Sequence, residues 1–212
     1  MDESRATRTL VHGCADARHV YLTFDDGPDL EWTPRMLDIL ASAGVAATFF
    51  LIGRLARQHA QLVRRLAAAG HEVGNHTWSH RHPWTVPASV GRSEVRDGAS
   101  AIADALGRAP KLFRPPHGRM RDCMVEEALR GGQTPVLWSR SAIDWGPLGH
   151  VSGIGTRLRA AQPGDIVLMH DGGRGVNRPS ELARALPGFL ADLVQRGLAA
   201  CPLSRIHAAG DR

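Results

Sequence analysis

The sequence predicts a single-domain α/β fold built as a small seven-stranded (β/α) barrel. Short apolar runs alternate with longer amphipathic stretches along the whole chain, and seven such runs occur. Acids, histidines and one arginine fall just past several different runs, at Asp25/Asp26, His76/His80, Arg114, Asp144 and His170. An open doubly wound sheet would gather its site at one reversal of strand order. Groups from so many strand ends converge only if those ends form a ring.

The first strand is His19 to Phe24, ending in the turn Asp25-Asp26-Gly27-Pro28, and a helix begins at Thr33-Pro34 with Met36, Leu37, Ile39 and Leu40 on its apolar face. Ala47 to Ile52 is the second strand, Leu55 to Ala69 a helix closed by Gly70, and Glu72 to Gly74 a short third strand. After a Trp- and Pro-containing loop, Ala88 to Leu106 reads as a long helix. Lys111 to Arg114 is a fourth strand stopped by Pro115-Pro116. A helix over Arg121 to Arg130 leads to the fifth strand, Thr134 to Trp138. Helices over Gly153–Ala161 and Ser180–Gln195 then alternate with strands Asp165–Met169 and Leu198–Leu203.

With 212 residues, 43% hydrophobic and 22% charged, the chain is long enough for one sizeable core and is neither disordered nor low in complexity. We divide it into an N-terminal extension (1–18), the domain proper (19–203) and a C-terminal tail (204–212). The formal charge is +5, from 25 Arg and one Lys against 21 acids. The arginines are scattered over predicted helices (Arg57, Arg64, Arg65, Arg92, Arg96, Arg157, Arg159), which fits solvated helix faces and argues against a nucleic-acid partner. Cys14, Cys123 and Cys201 are odd in number and far apart, so they make no complete disulfide framework or zinc-thiolate site. Residues 1–8 carry no apolar signal core, and no 18-residue apolar run is available for membrane insertion. The expectation is a cytoplasmic protein.

His76 and His80 are spaced i, i+4, which on a helical turn places both imidazoles on one side. Alone, such a pair is more often an ordinary surface turn than a metal site. With a carboxylate from Asp26 it becomes a two-His, one-carboxylate set that leaves positions open on a divalent ion, as catalytic sites require. Such a set accepts zinc, cobalt, nickel or manganese, with zinc the default. Adjacent Asp25 points elsewhere and can act as a base toward water. His170 follows a nearly pure apolar strand and, with Asp144 available, is a potential acid for a leaving group. Arg114 can hold a carboxylate by a bidentate contact. Trp32, Trp78 and Trp84 fall in loops at the proposed mouth and are equally loop packing or flat platforms for a ligand, whereas Trp138, inside a strand, is expected in the core.

Five segments in order resemble the motifs of the NodB-type polysaccharide deacetylases, carbohydrate esterase family 4. They are Thr23-Phe24-Asp25-Asp26-Gly27-Pro28, Asn75-His76-Thr77-Trp78-Ser79-His80, Phe113-Arg114-Pro115-Pro116-His117-Gly118, Asp144-Trp145 and Ile166-Val167-Leu168-Met169-His170-Asp171. The likeness runs from about His19 to Leu203. It implies a distorted seven-stranded barrel, metal ligands Asp26, His76 and His80, Asp25 as general base and His170 as acid. It further implies that Arg114 orients Asp25, that Asp144 tunes His170, that the His117 backbone N–H meets an oxyanion, and that Trp145 and Leu168 form a pocket for the acetyl methyl. His117 stands where the family commonly has Tyr, and Ser141 and Ile143 replace a frequent Asp and Arg.

The implied reaction is metal-assisted removal of the N-acetyl group from an N-acetylglucosamine unit. Within the family the short chain is most similar to the chitooligosaccharide deacetylases of nodulation-factor synthesis. The alternatives are an N-deacetylase of peptidoglycan or another polysaccharide, and a non-enzymatic module that grips an acetylated glycan through the ion.

Overall fold

The structure, a computed structural model, describes residues 9–14 and 18–208. Most of the expected 1–18 extension and residues 209–212 of the expected tail therefore lie outside the described residues. The elements are β1 (His19–Asp25), α1 (Trp32–Ser42), β2 (Thr48–Leu51), α2 (Gly53–Gln58), α3 (Ala60–Ala68), β3 (Glu72–Asn75), α4 (Ala88–Leu106), β4 (Leu112–Phe113), α5 (Asp122–Arg130) and β5 (Thr134–Pro135). They continue as β6 (Arg140–Ser141), α6 (Val151–Arg159), β7 (Ile166–His170), α7 (Pro179–Gln195), β8 (Ala199–Cys201) and α8 (Arg205–Ala208).

Every strand pairing is parallel, in the order β5-β4-β3-β2-β1-β7-β6, with β8 pairing the start of β1 off this path. The two ends of the path are neighbours in sequence. Seven strands laid flat would span about 29 Å at the usual strand spacing, whereas the segment from Pro135 to Arg140 reaches at most about 19 Å. The sheet must therefore curl. Leu10 sits at the seam, its N–H bonded to Pro135 O at 2.9 Å and its carbonyl accepting from Leu137 N–H at 2.8 Å.

Strand alternation decides what the barrel holds. On β1, Val20, Leu22 and Phe24 join the main core with the helices, including Leu40 of α1, Leu66 of α3, Leu158 of α6 and Phe189 of α7. Tyr21 belongs to a second cluster with Phe50, Leu112, Val136 and Ile166. Thr23 and Asp25 share Tyr21's face, so the first acid of the turn points into the ring. By the same alternation Val167 and Met169 of β7 pack toward the helices, and Leu168 and His170 face inward.

The predicted fold class holds, with four differences in its elements. The ring's seventh strand is Arg140–Ser141, while the predicted seventh, Ala199–Cys201, lies beside β1. Arg140-Ser141 has no apolar run, because only two residues pair with β7. The predicted fifth strand is shorter, since after Pro135 the chain turns to bridge Leu10. The predicted Leu55–Ala69 helix is two helices, broken at His59, whose φ/ψ of −122°/43° is not helical. Short polar α8 was not expected. Helix α4 lies close to the end of β3 through Gly98: a Cβ there would fall 2.5 Å from Asn75 Oδ1.

Candidate active site

The strand ends converge on one cavity of about 470 Å³ whose lining includes Asp25, Asp26, His76, His80, His117 and His170. Asp25 is the last residue of β1 and is buried. Its Oδ1 accepts from Arg114 Nη1 at 2.8 Å, and its Oδ2 lies 3.7 Å from His76 Nε2. Arg114, just past β4, is 0% exposed. The same Nη1 donates to Thr23 Oγ1 at 2.8 Å, Nη2 donates to Leu137 O at 2.9 Å, and the guanidinium lies 4.1 Å from the centre of the Phe50 ring.

Asp26 adopts φ +76°, which turns its side chain away from that of Asp25. Its Oδ1 lies 3.2 Å from His80 Nε2 and 3.7 Å from His76 Nε2, and its Oδ2 accepts from Asn177 Nδ2 at 2.7 Å. His76 Nδ1 is 2.7 Å from the Arg114 carbonyl. A carbonyl only accepts, so Nδ1 carries the proton and Nε2 keeps its lone pair toward Asp26. The turn bearing His80 is held by Ser79, whose N–H and Oγ donate to buried Glu94 of α4 at 2.7 and 2.6 Å.

These residues fit a cation. One donor atom from each of Asp26, His76 and His80 lies within 4.8 Å of the others. Asp26 Oδ1 is buried without a hydrogen-bond partner among the described residues, a costly state for a carboxylate oxygen unless a cation or donor faces it. Burial and the neighbouring His76 push the His80 imidazole down to about 3, against the pull of Asp26, so it is neutral at pH 7 and able to donate its lone pair. Burial alone would raise the Asp26 carboxyl, but the facing histidines and the Asn177 hydrogen bond outweigh it and hold the group low. Two nitrogens and one anionic oxygen suit zinc and its first-row neighbours.

On the opposite wall, His170 Nδ1 lies 2.9 Å from Asp144 Oδ1, and the His170 backbone N–H donates to Asp144 Oδ2 at 2.7 Å. Burial opposes a charge on His170, but the charge and hydrogen bond of Asp144, helped by Asp26 and Asp25, raise it to about 9. Trp145 meets the His170 ring edge-on at 5.3 Å, and Leu168 lies beside them in the wall. His117, at φ +57°, is in a tight turn whose next two N–H groups close onto Pro115 and Pro116. Among the described residues nothing accepts from the His117 N–H.

The ten residues given site roles in the sequence thus gather at this cavity: eight line it, and Arg114 and Asp144 stand behind Asp25 and His170. Trp138 lines the cavity with Trp145, while Trp32, Trp78 and Trp84 are absent from its wall. Trp78 packs under Arg57, Trp32 opens α1 beneath Arg35, and Trp84 is 61% exposed. Trp138 does pack against the core cluster that holds Tyr21 and Phe50, as expected, and in addition reaches the cavity wall. Arg174 and Asn177, in the loop after β7, went unread because no periodicity or motif marks them.

Residues 12–136 match the polysaccharide deacetylase family. The chitooligosaccharide deacetylase of a Bradyrhizobium strain is 36% identical over 211 residues, covering 95% of this chain and 96% of its own. The crystal structure of a peptidoglycan N-acetylglucosamine deacetylase superposes with a TM-score of 0.86 at 32% identity, covering 93% of this chain and 92% of that one. A family 4 pseudoenzyme from Bacillus anthracis superposes at 0.85 and 27% identity, covering 96% and 70%.

Asn177 anchors Asp26 from behind, so Asn177→Ala should weaken zinc binding by about 10- to 100-fold with the fold intact, as loss of such an orienting partner does. Competition with a chromogenic chelator measures it. An unchanged affinity would mean that Asn177 does not orient the carboxylate.

Proposed function

This chain belongs to the polysaccharide deacetylase family of amide hydrolases, and from that premise we propose that it removes the N-acetyl group from an N-acetylglucosamine unit of an oligosaccharide. Chitooligosaccharides are the first substrate we assign, with nodulation-factor synthesis in the cytoplasm as the setting. The near full-length likeness to a rhizobial chitooligosaccharide deacetylase supports this reading, and three free cysteines suit a reducing compartment. Peptidoglycan is the second reading, favoured by the fold neighbour that acts on it.

The observation that carries the proposal is the division of labour between adjacent carboxylates. Asp26 faces two imidazoles, while Asp25, held through one oxygen by Arg114, keeps the other toward the cavity. Asp26, His76 and His80 would hold a divalent ion, zinc by default. When bound there, such an ion supplies Lewis acidity, polarising the amide carbonyl and lowering the pKa of water to about 7. Asp25 takes the proton from the attacking water. The unpaired His117 N–H faces the oxygen of the tetrahedral intermediate, a donor whose loss typically costs ~3–4 kcal/mol. The peptide N–H performs this service, so the exchange of Tyr for His at this position leaves it in place. His170, charged below about pH 9 and gripped through Nδ1 by Asp144, presents Nε2–H to the departing amine nitrogen. Trp145 and Leu168 offer an apolar wall for the acetyl methyl.

The same fold carries a pseudoenzyme, so turnover is what must be measured. Acetate release from chitotetraose should be abolished by chelation and restored by zinc. Asp25→Asn should lower kcat by at least ~10²-fold while bound zinc stays at one equivalent by elemental analysis. Glycan binding without acetate release would instead support the non-enzymatic module, and undiminished turnover by Asp25→Asn would remove Asp25 as base. Product masses from chitotetraose and from muropeptides separate the two glycan readings.

The acid sets the alkaline limb. His170 must be protonated, so kcat/KM should fall as pH rises through about 9. Asp144→Asn removes the charge that raises His170, and the limb should move to lower pH. A limb that stays in place in this variant would show that another group supplies the proton.

A further inference from the structure

Arg174 lines the cavity, yet the chemistry above gives it no task. It lies in the segment between β7 and α7, which is tied down on both sides. Asn177 N–H donates to the Arg174 carbonyl at 3.0 Å, Gly146 N–H to Val176 O at 2.9 Å, and Arg178 N–H to Asp144 O at 2.8 Å. The Asn177 side chain reaches both Asp26 and Gly172 O. The segment is therefore part of the wall.

The Arg174 Nη1 is buried, and no acceptor among the described residues pairs with it. Other arginine forks here do find partners: Arg157 donates to three carbonyls, Arg121 to two, and Arg196 to two carbonyls and the Asp192 carboxylate. A guanidinium N–H removed from water without an acceptor is destabilising. The deficit is removed when a ligand brings an oxygen, and most fully when that oxygen is anionic.

We infer that Arg174 is a specificity-determining residue that recognises a carboxylate carried on, or next to, the acetamido sugar being deacetylated, so that of the two glycan readings above the site favours the second, an acidic N-acetylated glycan, over the neutral chitooligosaccharide that sequence likeness places first. The inference rests on the cavity being the deacetylation site. The carboxylate can be the 3-O-lactyl ether of the reacting sugar itself or the uronic acid of its neighbour. Both present the same planar anion to the guanidinium.

Three tetrasaccharides distinguish these cases: chitotetraose, a peptide-free N-acetylglucosamine–N-acetylmuramic acid tetramer, and a hyaluronan tetramer. The zinc-loaded wild-type protein should show a kcat/KM at least tenfold higher on one or both carboxylated oligomers than on chitotetraose. That ratio should shrink with added salt, as an ion pair requires. In Arg174→Gln the ratio should fall toward one, and Arg174→Lys should restore part of it. Fragment masses of the muramic product separate the two cases: acetyl lost from the muramic acid places the carboxylate on the reacting sugar, and acetyl lost from N-acetylglucosamine, or preference for hyaluronan alone, places it on the neighbour. A wild-type protein that turns over chitotetraose as well as both acidic oligomers overturns the inference, as does an Arg174→Gln variant that slows all three equally. If no oligomer releases acetate, the deacetylase reading fails separately. Calorimetric titration of the same oligomers then decides: tighter binding of acidic ones that Arg174→Gln erases supports the inference, and equal binding overturns it.

Discussion

The structure depends on one buried guanidinium. Arg114 is held at the centre of the ring by Thr23 and Asp25 of β1 on one side and by the Leu137 carbonyl on the other. The last contact crosses the seam where β5 leaves the sheet and where Leu10 is inserted. Its backbone acts as well, for the Arg114 carbonyl fixes the tautomer and orientation of His76. One residue therefore orients the proposed base through its side chain and a proposed ligand through its peptide. Breaking a buried ion pair by removing one partner typically costs ~3–5 kcal/mol, so stability and site geometry are bound together here.

Around that centre the backbone departs from its ordinary conformations. Asp26, Thr77, His80, His117 and Ile143 all have positive φ, and all lie in the site loops. Left-handed non-glycine residues are uncommon and persist where surrounding contacts over-determine them. Those contacts are visible: Asn75 Oδ1 accepts from Thr77 N–H, Thr77 Oγ1 from His80 N–H, and Ser141 Oγ from Ile143 N–H. Ser141 and Ile143 depart from the family's usual residues, yet the Asp144–His170 pair they precede is intact, because Asp144 is held by both of its oxygens on His170.

Much of this was legible in the sequence because it follows from strand periodicity. Alternation along His19–Asp25 and Ile166–His170 places Thr23, Asp25, Leu168 and His170 on the inner face, and the position of polar groups past separate strands requires a ring. The two-residue strand Arg140–Ser141 was not legible, since its pairing comes from β7 and not from its own composition. Nor was Asn177, which lies 151 positions from the Asp26 it supports. The arginine excess also has a structural use: Arg18, Arg121, Arg157, Arg178 and Arg196 tie loops together through backbone carbonyls. Their five-donor forks suit that task better than lysine's point charge, which is why a basic chain need not imply a nucleic-acid partner.

The central claim is that groups from the turn after β1 and the loop after β3 converge on one cation while Asp25 stays outside its coordination shell. Anomalous diffraction from zinc-soaked crystals tests it most directly. The account predicts one strong peak about 2.0–2.2 Å from an Asp26 oxygen, His76 Nε2 and His80 Nε2, with Asp25 still paired to Arg114. A peak coordinated by Asp25 in place of Asp26, or no peak among these three residues at saturating zinc, would contradict it.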